Sequence, residues 1–145
     1  MGQSLQFFSE DISYSLSDER KTCHWILSAI SKEGYSLESI NYVFCNDKYL
    51  HQINVEYLNH DTLTDIITFS YSEQDDSPIL GDIYISIERV QENAKLYGNQ
   101  NFEHELHRVI IHGVLHLCGY QDKTNDQQKE MTEKENYYLR ILENI

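Results

Sequence analysis

The chain lacks several features that mark particular classes of protein. It has one proline in 145 residues, so long Pro-rich linkers between domains are not expected. No apolar run approaches the roughly 20 residues that a membrane-spanning helix needs. The N-terminus carries no basic stretch followed by an apolar one, so no secretion signal is visible. These absences predict a folded protein that is not inserted in a membrane.

Cysteine is scarce, and its three copies, Cys23, Cys45 and Cys118, lie far apart in the sequence. A disulfide framework requires pairs of cysteines and an oxidising compartment. An odd, scattered set therefore predicts a protein of the reducing cytoplasm.

Basic residues are also few: 11 Lys and Arg stand against 24 Asp and Glu, which gives a net charge of −13. Non-specific binding to nucleic acid depends on Lys and Arg that neutralise phosphates. The composition therefore disfavours a free-standing RNA binder unless a local basic or metal site overrides the charge. It suits docking to basic partners, such as ribosomal proteins.

What is present is a regular alternation of apolar and polar residues over one domain's length, with 40% hydrophobic residues. Helical periodicity and capping signals predict helices over about 17–33, from Asp47, over Glu88–Tyr97, over Glu103–Leu117 and from Thr124 to about Leu142. Branched and aromatic runs predict strands at Ile40–Cys45, Asp65–Tyr71 and around Ile83–Ile87. The pattern predicts a single α+β domain in which helices pack on a small mixed β-sheet.

Two helix starts carry possible capping boxes, Ser15 with Asp18 and Thr124 with Gln127. The helix over Glu103–Leu117 is apolar around most of its circumference from Val109 onward. Such a helix is expected to be central and buried.

This buried helix carries two histidines, His112 and His116, one helical turn apart on the same face. Gly119 can end the helix in a left-handed turn and let the chain return with Asp122 as a third ligand. Three protein ligands with an open position are typical of a catalytic zinc site. The same spacing also fits two hydrogen-bonded core histidines. Gly113 stands where zinc proteases of the His-Glu-x-x-His type place their general base, which disfavours peptide hydrolysis by that mechanism.

The stretch from His112 to Tyr120 resembles the signature of the YbeY family of rRNA maturation factors, His-Gly-x-Leu-His-Leu-x-Gly-Tyr-Asp-His. Two further blocks resemble that family in the same order. Asn54 and Tyr57 with Thr64–Phe69 are similar to its Asn-x-x-Tyr-Arg and Thr-Asp-Val-Leu-Ser-Phe segments, and Leu80–Ser86 is similar to its Leu-Gly-Asp-Ile-x-Ile-Ser strand.

The resemblance implies a metal-dependent endoribonuclease that acts on single-stranded RNA. It implies a role in maturing the 3′ end of small-subunit ribosomal RNA and in ribosome quality control. It also implies an α+β fold whose metal helix lies under the sheet. The expected cofactor is one zinc ion held by His112, His116 and Asp122, and the expected partners are ribosomal RNA and proteins of the small subunit.

The sequence departs from the family pattern at two positions. Asp122 stands where the family has its third histidine, which lowers the charge of the site and can shift its metal preference toward harder ions. Leu58 stands where the family has an arginine, and leucine cannot bind phosphate. These departures keep open a non-catalytic ribosome-associated factor with a structural metal, or a metallohydrolase of another substrate class.

Three residues are candidates for catalytic roles beside the metal. Asp65 and Asp82 lie in matched strand blocks and can serve as bases or orient the histidines, or they can act only in turns and caps. Arg108 lies one turn before His112 and is a candidate phosphate-binding cation, with pairing to a glutamate as the alternative. Cys118 is expected in the core and not among the ligands.

Overall fold

A computed structural model describes residues 4–74, 76–96 and 101–145. The described elements are, in order, β1 (Leu5–Ser9), α1 (Glu19–Lys32), β2 (Leu37–Cys45), α2 (Asp47–Leu58), β3 (Ile66–Ser70), β4 (Ile79–Ser86), α3 (Ile87–Leu96), α4 (Phe102–Leu117) and α5 (Asn125–Glu143). This arrangement confirms the α+β fold class predicted from the sequence.

The four strands form one mixed sheet in the order β1-β2-β4-β3. β1, β2 and β4 are parallel, and β3 joins the edge antiparallel to β4. Along β4, buried Gly81, Ile83 and Ile85 alternate with half-buried Asp82 and Tyr84. Because successive side chains of a strand point to opposite faces, this alternation separates a core face from an outer face.

Helix α4 packs on the core face, and two glycines allow it to lie close to the sheet. A Cβ atom added to Gly113 would lie 3.0 Å from methyl carbons of both Ile66 and Ile83. A Cβ added to Gly81 would lie 2.5 Å from the carbonyl oxygen of Phe69 and 3.0 Å from the side chain of Leu117. This close packing holds the histidine-bearing helix against β3 and β4, as the predicted central helix requires.

The remaining helices enclose α4 and the outer face. α1 and α5 pack against α4, and Trp25 of α1 donates a 2.7 Å hydrogen bond to the carbonyl of Tyr138 in α5. On the outer face, Leu50 of α2 packs with Cys45 and Ile67 in a smaller cluster. The core therefore lies mainly between the sheet and the α1, α4 and α5 layer.

Several local predictions were wrong or incomplete. β1 was not predicted, because its five residues include no β-branched side chain and bury only Leu5. The Ser15–Asp18 capping box is absent: Asp18 itself is the N-cap of α1 and accepts from the Lys21 amide. Ile87 begins α3 and does not belong to β4, and Tyr97, the predicted end of that helix, lies outside the described residues. The capping box of Thr124 and Gln127 is present at the start of α5.

The described part of the chain has no helix with the length and apolar character needed to cross a membrane.

Candidate metal centre

The two histidines of α4 and an aspartate from the following loop converge on one point. The Nε2 atoms of His112 and His116 each lie 3.3 Å from Oδ2 of Asp122. The two imidazole rings stand nearly perpendicular, at 84°, with their centroids 4.5 Å apart. The possible ligand atoms of the three residues all lie within 4.8 Å of one another. The structure thus brings together the three residues that the sequence predicted as metal ligands.

Asp122 reaches this point because the end of α4 has a defined geometry. Gly119 adopts a φ of 103°, which a residue with a Cβ rarely does. The amides of Gly119 and Tyr120 then donate to the carbonyls of His116 and Leu115, which is the Schellman pattern of helix termination. The capping box of Thr124 follows at once, so the loop that carries Asp122 is held at both ends.

The Nδ1 nitrogens of both imidazoles, which point away from Asp122, form hydrogen bonds with protein groups. Nδ1 of His116 lies 2.9 Å from the carbonyl oxygen of Tyr120, and Nδ1 of His112 lies 2.6 Å from Oε2 of Glu135. A carbonyl only accepts, so Nδ1 of His116 carries a proton, and in the neutral imidazole this leaves the lone pair of Nε2 on the side of Asp122. Carboxylate and carbonyl partners of this kind orient the histidines of metal sites. The donor set of two nitrogens and one carboxylate oxygen therefore fits a divalent transition metal.

Glu135 belongs to a buried charge network that the sequence reasoning missed. Its side chain is 8% exposed and also accepts a 2.9 Å hydrogen bond from Arg108. The other terminal nitrogen of Arg108 donates to the side-chain oxygen of Asn136 at 2.8 Å. A signal was available: Glu135 falls on the face of α5 that buries Met131, Tyr138, Leu139 and Leu142. A charged residue on such a face needs a polar partner.

The charges around His112 act on its protonation in opposite directions. Burial lowers the pKa of His112, but the hydrogen bond to Glu135 and the charges of Glu135, Asp122 and Asp65 outweigh burial and raise that pKa overall. For Asp65, burial is the largest influence and raises the carboxyl pKa, which the neighbouring His112 partly offsets.

The three catalytic candidates fall in different places. Asp65 and Arg108 line a cavity of about 300 Å³ together with His112, Asp122 and Glu135. Asp82 lies on the outer face of the sheet, where it accepts hydrogen bonds from Asn41 and Tyr71, both at 3.1 Å. The strand alternation that separates Asp82 from Gly81 and Ile83 directs its carboxylate away from α4. Asp82 is therefore not brought to the metal centre.

Arg108 does not present a free cation, since its guanidinium already binds Glu135 and Asn136. The pairing with a glutamate that the sequence left as an alternative is thus the one observed. Cys118 is buried, as predicted, and burial raises the pKa of its thiol to about 12. A thiol with that pKa is a poor metal ligand at neutral pH.

The sequence comparisons point to one family. The family described as Endoribonuclease YbeY matches residues 5–143 of the chain. The chain belongs to the YbeY family. Among its relatives, proteins named Endoribonuclease YbeY from Flavobacterium psychrophilum and Amoebophilus asiaticus are 50% and 48% identical. The alignments cover 93% of this chain and 94% of the first relative, and 94% of this chain and 91% of the second.

A solved structure supports the same relationship. The solution structure of a protein from Thermotoga maritima superposes with a TM-score of 0.67 at 27% identity, covering 95% of this chain and 88% of that one. The YbeY resemblance predicted from three sequence blocks is therefore confirmed over residues 5–143, a range that includes residues 5–35, where no motif was recognised.

Proposed function

We propose that this protein is a metal-dependent endoribonuclease that cleaves single-stranded RNA and acts in the maturation of small-subunit ribosomal RNA. The observation that carries the proposal is the convergence of two Nε2 atoms and one carboxylate oxygen. Glu135 and the Tyr120 carbonyl orient the two histidines by binding their Nδ1 atoms. The names of the YbeY relatives supply the reaction and the RNA substrate.

His112, His116 and Asp122 are the proposed ligands of one divalent ion, and zinc suits this mixture of nitrogen and oxygen donors. A bound ion of this kind polarises a phosphoryl oxygen and lowers the pKa of a coordinated water. Glu135 and Tyr120 keep the Nε2 lone pairs of the two histidines directed at the site.

Asp65 is the proposed general base. It lies in the same cavity as His112 and Asp122, and Asn93 donates a 3.3 Å hydrogen bond to its Oδ2. Burial raises the pKa of this carboxyl, which makes its carboxylate a stronger proton acceptor, as a general base requires. Arg108 is assigned a positioning role, because its two terminal nitrogens bind Glu135 and Asn136.

A non-catalytic ribosome-associated factor is the second candidate. The net charge of −13 favours it, as does Leu58, the last residue of α2, whose side chain offers no cation in place of the family arginine. Peptide hydrolysis finds no support in the site, since Gly113 packs against Ile66 and Ile83 and leaves no room for a glutamate there.

The deciding experiment measures metal content and cleavage of an unstructured RNA on the same purified samples. Wild type is compared with Asp122→Ala and Asp65→Asn, and with Asp126→Ala, which alters an exposed aspartate in the first turn of α5, as the matched control. We expect one ion per chain and cleavage in wild type and in the control. Asp122→Ala should lose both, and Asp65→Asn should keep the ion but lose about a hundredfold or more in kcat.

A wild-type protein that binds metal but cleaves no unstructured RNA would contradict the proposed enzyme activity and favour the non-catalytic ribosome-associated factor.

The three cysteines are free thiols, which agrees with the proposed location in the reducing cytoplasm.

A further inference from the structure

Two clefts flank the three ligands, one on each side. The first, which we call the carboxylate cleft, is the cavity that contains His112 and Asp122 and is lined further by Asp65, Glu105 and Glu135. The second, which we call the polar cleft, has a volume of about 490 Å³ and begins at His116. Its walls are the end of β3, the following loop and the turn after α4, and its polar lining side chains are Tyr35, Ser70, Ser72, Glu73, Gln74, Ser77 and Gln121.

The two clefts differ in charge, and this difference bears on where an RNA strand can lie. The carboxylate cleft carries four carboxyl side chains and one arginine, Arg108, which is already bound to Glu135 and Asn136. Like charges a few ångströms apart in a partly buried site repel strongly. A phosphodiester strand is therefore disfavoured on the His112 side of the metal centre.

The polar cleft offers neutral hydrogen-bonding groups and one carboxylate, Glu73. Its side chains at Tyr35, Ser70, Gln74 and Gln121 make no hydrogen bond to any other residue that the structure describes, so they are available to a ligand. Its volume falls within the range of about 300–1,000 Å³ typical of small-ligand sites. No Lys or Arg is among its lining residues, which argues against a site for phosphate itself.

These properties match the sugar and base of a nucleotide. Proteins recognise single-stranded RNA by hydrogen bonds to base edges and to the 2′-hydroxyl, and by stacking on aromatic rings. Amide side chains offer both a donor and an acceptor, and the half-buried ring of Tyr35 stands against the turn after α4. A Cβ on Gly119 would lie 3.9 Å from the Tyr35 hydroxyl oxygen. Gln121 immediately precedes the ligand Asp122, so this wall of the cleft adjoins the metal centre.

We propose that the polar cleft binds the ribose and base of the nucleotide next to the cleaved phosphodiester, so that the RNA strand leaves the metal centre on the His116 side. This inference rests on the proposed function. The phosphate of that nucleotide lies at the metal centre, and Gln74 and Gln121 contact its base and sugar.

The first test is kinetic, with a short unstructured oligoribonucleotide as substrate. Gln74→Ala and Gln121→Ala should each raise KM about three- to tenfold, the effect of one or two lost hydrogen bonds, with metal content unchanged. Gln52→Ala is the matched control, because Gln52 is an exposed glutamine of α2, the helix that packs on the outer face of the sheet. The ratio of the variant KM to the wild-type KM should not change with salt concentration, since neither substitution removes a phosphate contact.

The second test locates the RNA directly and does not depend on cleavage. Amide NMR shifts of the zinc-loaded protein are followed while the same oligonucleotide is added. Shifts concentrated at residues 70–74, 77 and 119–121 support the inference. Shifts concentrated at Asp65 and Glu105, or on the outer face around Gln52, overturn it.

The two tests also separate this inference from the proposed function. Cleavage with unchanged KM in both glutamine variants overturns the cleft assignment and leaves the ribonuclease standing. Shifts in the polar cleft without cleavage support RNA binding in this cleft and contradict the ribonuclease activity. The absence of both shifts and cleavage contradicts both proposals.

Discussion

Glu135 of α5 lies 2.6 Å from Nδ1 of His112 in α4, although the two residues are far apart in the sequence. The contact joins a nearly buried carboxylate to a histidine whose other nitrogen faces Asp122. It makes the packing of α5 on α4 part of the proposed metal centre.

Glu135→Gln should therefore weaken metal binding. The amide keeps the size of the side chain and one acceptor oxygen but removes the charge that supports His112 and Arg108. Loss of such a partner typically lowers metal affinity about 10- to 100-fold. Zinc affinity measured by competition with a chromogenic chelator checks the prediction, with Glu133→Gln, an exposed position on α5, as control. Equal affinity in wild type and Glu135→Gln would show that the contact is only structural.

Asp122→His should keep one bound zinc ion, because histidine is the residue that the YbeY signature places there. Replacing an anionic ligand with a neutral one raises the charge of the site and favours zinc over harder ions such as manganese. We expect the zinc-to-manganese affinity ratio to rise at least several-fold over wild type. Metal content after dialysis against both ions measures this ratio, and a zinc-free Asp122→His protein would contradict the ligand assignment.

Gly113→Leu should destabilise the fold without touching a ligand. Even a Cβ at this position meets methyl groups of Ile66 and Ile83 at 3.0 Å, and overpacking of this kind costs about 1–3 kcal/mol. Urea unfolding should show a lower midpoint at an unchanged m-value. Thr132→Leu at an exposed position of α5 provides the control and should shift the midpoint little. An unchanged midpoint for Gly113→Leu would mean that α4 does not lie this close to the sheet.

Glu33 makes the stability of the fold depend on pH in the acidic range. Burial raises the pKa of this carboxyl, but hydrogen bonds from Tyr138, Tyr120 and Lys134 outweigh burial and lower it below its usual value. A folded-state pKa below the unfolded one stabilises the protein above the unfolded pKa of about 4.3, and this stabilisation is lost as pH falls through the folded value.

Glu33→Gln should therefore lower the free energy of unfolding at pH 7 by about 1.5–3 kcal/mol, the range for hydrogen bonds to a charged group. The difference from wild type should shrink as pH falls below about 4. Urea unfolding at a series of pH values measures it, with Glu130→Gln, an exposed neighbour on α5, for comparison. A difference that is constant with pH would show that the Glu33 charge plays no part.

The elements that sequence reasoning located best are those with local signals. The periodicity of α4 and the capping box at Thr124 and Gln127 depend on residues within a turn or two of each other, and both are observed. β1 escaped prediction because its sequence, Leu-Gln-Phe-Phe-Ser, has no β-branched residue, unlike the equally short β3, which contains two isoleucines and a threonine. At α1, a single capping side chain, Asp18, replaced the predicted pair.

The residues of the proposed metal site likewise include some that local sequence predicts and one that only the tertiary structure shows. The spacing of His112 and His116 places both imidazoles on one face of any α-helix, and Gly119 favours the turn that returns Asp122, so these three residues could be proposed from the sequence alone. Glu135 could not, because its partner His112 lies on another helix and the contact exists only after α5 has packed on α4.

Asp65 and Asp82 show most directly what only the tertiary structure decides. Both are aspartates in matched strand blocks, and the sequence offered no reason to prefer one. Strand pairing places Asp65 just before β3, in the cavity beside His112, and directs Asp82 to the outer face. The sequence by itself determined the helix, its histidine pair and the turn after it, because those depend on local backbone geometry. The packing of distant elements decided which carboxylates surround the pair, because nothing in the local sequence specifies which face of the sheet α4 covers.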